Sequence, residues 1–394
     1  MTFQTRKKEK IDLPKKILII GANAAGVHAA AAARKTDPKA EITLVTSETH
    51  LAYSRCGLPY VLAREIPQFE DLIVFPPSYY KMMKFDARVE TTAKSIKAEE
   101  KTVQIETKTG GTKSLSYDSL ILTTGATPFI IPLEGHKKKG VVAVRTIEDG
   151  ETIQEMMKTA KSAVVIGAGF IGLETAHAFA EHSIKTTIIE VLPTVVPGLF
   201  DEDMANQIKK RIEEHGVRVL VGTRATEILG DEKVAGVKTA SEEIEADLVV
   251  MATGVRPATS LATEVGVELG VTRGILVNPR METNVQGIYA AGDCVESRSM
   301  ITGLPCLIQL GTNAVRQGKV AGINAAGGYA TFPGVNCAAV SKLFGFEIGS
   351  VGLTEYQAAK IGFKTVSGSI TGKSKAEYFP GAKEIRIKVV AEPY

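Results

Sequence analysis

The chain has 394 residues, enough for two or three domains with well-buried cores. Its 47 Lys+Arg against 44 Asp+Glu leave a net charge of +3, without the surplus that coats nucleic acid, and no apolar run approaches the ~20 residues of a membrane-spanning helix. Four cysteines without a C-x-x-C pair form neither a secreted disulfide framework nor a zinc cluster, so small molecules are the expected partners.

At the N-terminus, Arg6-Lys7-Lys8-Glu9-Lys10 is basic, but the next apolar run, 17–20, is too short for a signal-peptide core. Cytoplasmic residence is the expectation. That run reads as a buried strand leading into Gly21, Asn23, Ala24, Ala25 and Gly26 and then an alanine-rich helix. The spacing is that of the dinucleotide fingerprint with Asn23 in place of the middle glycine, and asparagine tolerates the left-handed conformation expected there. The next strand, 41–45, is followed by Glu48, somewhat late for an acid that binds a ribose.

Tyr53-Ser54-Arg55-Cys56-Gly57-Leu58-Pro59-Tyr60 then places one thiol where a helix begins. Pro59 suits a first helical position and Gly57 a sharp turn into it. The helix dipole and the Arg55 charge would both favour thiolate, making Cys56 reactive. A small buried hydrophobe is the plainer reading of the same cysteine.

A second fingerprint, Gly167, Gly169, Phe170, Ile171, Gly172 and then Glu174, carries all three glycines. Its following strand, 186–189, ends at Glu190, close to the ~20-residue offset of a ribose-binding acid. No Arg or Lys follows in Val191-Leu192-Pro193-Thr194 to hold a 2′-phosphate, which favours NADH, with NADPH as the alternative donor. Two further segments repeat one another: a buried strand into Thr124-Gly125-Ala126-Thr127-Pro128, and another into Thr253-Gly254-Val255-Arg256-Pro257. The charge alternation of 201–216 predicts an amphipathic surface helix. Residues 287–296 predict a strand ending at Gly292-Asp293 before a long helix over about 309–326. Cys294, Cys306 and Cys337 have no activating neighbours in sequence and read as packing.

In this order the motifs resemble the FAD-dependent pyridine nucleotide-disulfide oxidoreductase superfamily. The resemblance is to its single-cysteine branch of coenzyme A disulfide reductases, NADH oxidases and NADH peroxidases. It implies an α/β fold with two Rossmann-like dinucleotide-binding domains and an α+β C-terminal dimerisation domain. FAD would occupy 12–146 and 277–330, NAD(P)H would occupy 147–276, and a partial interface domain would cover 331–394. It further implies FAD on the first glycine turn, with Glu48, Ser54, Arg55, Thr124, Gly125, Ala126, Gly292 and Asp293. NADH would lie on the second turn with Glu190 and Gly254. Phe170 would gate the flavin, with Glu174 beneath it. Cys56 would exchange electrons with the flavin, and Tyr378 would act across a homodimer interface.

Two-cysteine relatives carry C-x4-C, but Leu51 and Val61 stand at the corresponding distances from Cys56, so the second sulfur or oxygen must come from outside. Oxidases and peroxidases of this branch usually carry His where this chain has Ala24. A disulfide, persulfide or polysulfide acceptor is therefore the expectation, with coenzyme A as a further cofactor and Arg64, Lys81 and Lys84 as candidates for its phosphates. The segment 46–55 also resembles reductases of the rubredoxin and nitrite type, which makes a protein or metal acceptor a rival. A redox-signalling binding protein is the non-enzymatic one. The C-terminal sheet is expected to stop unfinished, as a truncated form or one covered by a partner.

Overall fold

A computed structural model describes residues 13–393; the basic stretch 6–10 lies outside them. Two five-stranded parallel sheets organise the chain. The first has the spatial order Ile288–Ala290, Ser119–Leu122, Lys16–Ile20, Glu41–Val45, Phe85–Arg88. The second runs Arg218–Leu220, Lys185–Ile189, Ser162–Ile166, Leu248–Met251, Val141–Val142. Their central strands, KILII, SLIL, SAVVI and LVVM, are almost continuously apolar because helices and antiparallel sheets cover both faces. Val141–Val142 joins the second sheet, although sequence placed the start of that unit at 147.

The alanine-rich helix Ala24–Thr36 packs on the helix Gly311–Ala325 at very short range. A Cβ on Gly318 would lie 2.2 Å from the Ala25 carbonyl oxygen, and one on Gly322 would lie 2.1 Å from that of Ala29. Small residues on both helices are what permit this approach, and it ties the late segment to the first glycine turn. Three-stranded antiparallel sheets, one over residues 91–116 and one over 225–245, flank the two units. The antiparallel pair Ala126–Pro128 and Val255–Pro257 joins the two Thr-Gly crossings that sequence read as repeats.

The amphipathic helix forms over Glu202–Glu214 and buries Ala205, Ile208 and Ile212. Beyond 338, the hairpin Ala339–Leu343 with Phe346–Ser350 seats Leu343 and Phe344 in the same apolar cluster as Leu58, Leu62 and Phe179. A second hairpin, Val366–Lys373 with Glu384–Ala391, lies on the surface. It is tethered where Lys388 reaches Asp201, Asp203 and Glu355 at 3.0–3.1 Å, and these carboxylates push the Lys388 ammonium up against the effect of desolvation. No helix among the described residues is long and apolar enough to cross a membrane.

Candidate active site

The two glycine turns have one backbone solution. Gly21 has φ +101° and Gly167 has φ +109°, values open to glycine at little cost. A Cβ on Gly26 would lie 1.9 Å from the Gly21 carbonyl oxygen, and one on Gly172 would lie 2.0 Å from that of Gly167. A Cβ on Gly169 would meet nothing within 4 Å, so the middle of the second turn faces open space where a ligand can approach the backbone.

Asn23 is not left-handed as its sequence context predicted. Its φ is −100°, and its side chain caps the helix by accepting from the Ala24 N–H at 2.7 Å. The cap explains why asparagine replaces glycine here. Its Nδ2 is buried without a partner among the described residues, a donor that a pyrophosphate oxygen would satisfy. Ala24 and Ala25 begin the helix, and a Cβ on Gly292 (φ +88°) would come within 3.0 Å of the Ala25 Cβ. The Gly292 N–H donates to Gln317 Oε1 at 2.8 Å. The turn thus fits a bound dinucleotide, and FAD would lie along Gly21–Gly26, Thr124–Ala126 and Gly292–Asp293.

The two acids that follow the turns behave differently. Glu190 is buried, and its carboxylate accepts from the Ala168 and Leu192 N–H groups, each at 2.8 Å. This holds it against the second glycine turn with lone pairs left for a ribose. Glu48 instead binds the Arg55 guanidinium and accepts from the Tyr53 hydroxyl at 2.7 Å.

That pairing corrects one expectation: the Arg55 guanidinium binds Glu48 and donates to the Arg145 carbonyl oxygen at 2.8 Å, and the cation that favours the Cys56 thiolate is Arg145 instead. Cys56 lies in a short 3-10 turn, Arg55–Gly57, before the helix Leu58–Leu62. As a residue it is exposed, yet protein surrounds the sulfur closely enough that desolvation raises its pKa, aided by the Glu174 and Asp293 charges and opposed by Arg145. The thiol is therefore held protonated more firmly than sequence suggested. Gly57 is needed for packing rather than for its φ of −80°, since a Cβ there would strike Leu72 at 2.3 Å. Ser54 is exposed, and its N–H donates to the Leu72 carbonyl at 2.8 Å.

Arg145, which sequence reasoning missed, pairs with Asp293 at 3.3 Å and flanks Gly125. Its position was indirectly legible from the capping box Thr146 to Asp149, which starts the next helix. Glu174 lies close enough to Cys56 for its charge to act on the thiol. It accepts from the Ser341 hydroxyl at 2.6 Å and from the Tyr60 hydroxyl at 3.4 Å, while Tyr60 also donates to the Lys342 carbonyl at 2.9 Å. Burial pushes Glu174 up to about 7, against the lowering effect of those two hydroxyls. Ser341 lacked any sequence signal and Tyr60 stood in sequence only as part of the Cys56 motif, because their meeting depends on how the C-terminal hairpin docks.

Phe170 opens the helix Phe170–Glu181 and packs half-buried against the apolar cluster, with Ile171 at its solvent side. Gly254 has φ +98° and open space beyond it. Thr124 donates to the Ala258 carbonyl at 2.6 Å, and Cys294 is fully enclosed beneath this crossing. Arg64 is exposed and bonded to His182 Nδ1 at 3.2 Å, while Lys81 and Lys84 lie exposed near the end of the helix Pro77–Met82. Tyr378 is 84% exposed on the C-terminal surface.

The profile of the pyridine nucleotide-disulphide oxidoreductase family matches residues 15–318. An NADH oxidase of Methanocaldococcus jannaschii is 41% identical over 95% of this chain and 84% of its own. An NAD(P)H coenzyme A polysulfide/persulfide reductase of Pyrococcus horikoshii is 33% identical over 97% of this chain and 85% of its own. Among solved structures, an NAD-dependent persulfide reductase from A. fulgidus superposes with a TM-score of 0.93 at 36% identity, covering 96% of this chain and 71% of that one.

Proposed function

The chain belongs to the pyridine nucleotide-disulphide oxidoreductase family and is an FAD-dependent NAD(P)H oxidoreductase, and on that premise we propose that Cys56 delivers its electrons to a small disulfide, persulfide or polysulfide. The observation that carries this reading is the Cys56 thiol itself: exposed, ringed by Glu174, Asp293 and Arg145, and without a resolving cysteine beside it in sequence. When bound, FAD supplies the two-electron chemistry between NADH and this thiol. Cys56 as thiolate attacks one sulfur of the acceptor, expels the other as thiol, and holds a mixed disulfide until two electrons release the second thiol. Each expelled thiolate needs a proton at neutral pH, and Glu174, raised to about 7, can hold and give one beside Cys56.

NADH is the preferred donor on the strength of Glu190, and coenzyme A is a thiol partner whose phosphates Arg64, Lys81 and Lys84 could meet. The FAD, NAD(P)H and interface divisions expected from sequence are retained, with the second unit's sheet starting at Val141. A homodimer through the C-terminal surface is supported by exposed Val340, Ile370, Tyr378 and Val389. Four free thiols suit a reducing compartment such as the cytoplasm.

Cys56→Ser tests the reading directly. NADH consumption with coenzyme A disulfide or polysulfide should fall by about 10³-fold or more. Undiminished turnover would move the electron exit to a protein or metal acceptor. The oxidase reading, favoured by the Methanocaldococcus relative, has Cys56 cycle through a sulfenic acid; oxygen consumption exceeding disulfide turnover in the unmodified protein would select it.

A further inference from the structure

We propose that Ser341, carried by the C-terminal hairpin, is a positioning residue for the acid Glu174: its hydroxyl holds Oε1 and leaves Oε2 to carry the proton that the Cys56 reaction uses. This rests on the disulfide-reductase reading of Cys56 and deepens it. In the strand Ala339–Leu343 the buried positions are Ser341 and Leu343, and Ser341 stands opposite Ile348 across the hairpin. An apolar side chain would suit that position as it does at 343 and 348. A hydroxyl stands there instead, and its acceptor is Glu174 Oε1 at 2.6 Å.

Neighbouring contacts fix where that hydroxyl sits. Lys342 Nζ pairs with Glu65 Oε2 at 2.6 Å, His177 Nε2 lies 3.2 Å from Glu65 Oε1, and the Phe344 N–H donates to His177 Nδ1 at 3.4 Å. His177 follows Glu174 by one turn on the helix Phe170–Glu181, so the hairpin is fastened to one face of that helix at two levels. Tyr60 has a single proton, and its hydroxyl is 2.9 Å from the Lys342 carbonyl against 3.4 Å from Glu174 Oε1, which leaves Ser341 as the closer donor to the acid. The remaining charges are engaged elsewhere: Lys342 with Glu65, Glu181 at 3.9 Å from His177 Nδ1, and Arg145 with Asp293 at 3.3 Å. No hydrogen bond from the described residues reaches Glu174 Oε2.

A hydroxyl that donates to Oε1 stabilises the carboxylate and so limits how far burial raises Glu174. With Oε1 occupied, the carboxylic proton sits on Oε2. When the Cys56 thiolate bonds to one acceptor sulfur, the bond between the two acceptor sulfurs breaks. The departing thiolate takes the Oε2 proton, and Glu174 is left as a carboxylate that water reprotonates. Ser341 acts only through Glu174.

The test is iodoacetamide alkylation of Cys56 in the flavin-loaded full chain, read from the mass of the Cys56 peptide across a pH series, and it needs no acceptor. In the unmodified protein the rate should rise with pH and step down as Glu174 ionises, and Glu174→Gln should remove the step. Ser341→Ala should move the step up by about one pH unit, so that near pH 8 Cys56 reacts about threefold faster than in the unmodified protein, with equal rates near pH 6 and pH 10. Ser341→Thr keeps the hydroxyl and should return the step to its original pH. Should Ser341→Ala shed its flavin, Ser341→Cys, close in size and a weak donor, should move the step in the same direction. A looser hairpin alone would scale the rate at every pH. A uniform change, an unmoved step, no step in the unmodified protein or no rescue by Ser341→Thr would each overturn the proposal. Full turnover in Cys56→Ser would instead overturn the disulfide reading, and the two failures are told apart because the alkylation profile depends on no acceptor.

Discussion

The two glycine turns have the same backbone and different side-chain chemistry. In both, the first glycine is left-handed and the third has its α-carbon against the first glycine's carbonyl, because a helix must start within contact distance of the strand it follows. Around that shared frame the first turn uses Asn23 as a helix cap and loses Glu48 to Arg55. The second keeps Gly169 open and holds Glu190 on the Ala168 N–H. Close packing leaves one solution for the backbone, whereas the acid's task depends on which cation or N–H lies nearby.

The largest break in the comparison is at the shared frame. Gly26→Ala and Gly172→Ala both force a methyl into a carbonyl oxygen and should each cost about 3 kcal/mol or more, read as loss of soluble, flavin-retaining protein. Gly169→Ala has free space and should fold normally, with an increased KM for NADH as its only defect. Equal damage from all three would mean that packing does not separate the positions.

A smaller effect separates the acids. Glu190→Gln should raise the KM for NADH about tenfold with kcat nearly unchanged, because the amide can no longer accept at both oxygens. Glu48→Gln should leave that KM within about twofold and instead weaken the Arg55 tether. Steady-state kinetics on the pair decides it.

The smallest effect lies where the second unit meets Cys56. Burial raises Glu174 from 4.5 to about 7, so the native protein holds this proton more tightly than the unfolded chain, and stability falls as pH rises between those values. Glu174→Gln removes that loss. It should stabilise the protein by on the order of 2 kcal/mol at pH 8 and by nothing at pH 4, as measured by denaturant midpoints. The same change removes a negative charge facing Cys56, so the pH midpoint of Cys56 alkylation should shift down.

The sequence by itself determined the parts that rest on local chemistry. Apolar runs of strand length, glycines at fixed offsets and alternating charge in 201–216 each dictate a conformation within a few residues, so both glycine turns, their helices and the place of Cys56 just before a helix were legible. Only the tertiary structure decided which charges face that cysteine. Arg55 stands next to it in sequence but turns to Glu48, while Arg145, Asp293 and Glu174 arrive from three other elements. The same holds for Ser341 on Glu174. Electrostatic and hydrogen-bonded neighbours are set by distance in space, and that distance exists only once the sheets, the crossings and the C-terminal hairpin have packed.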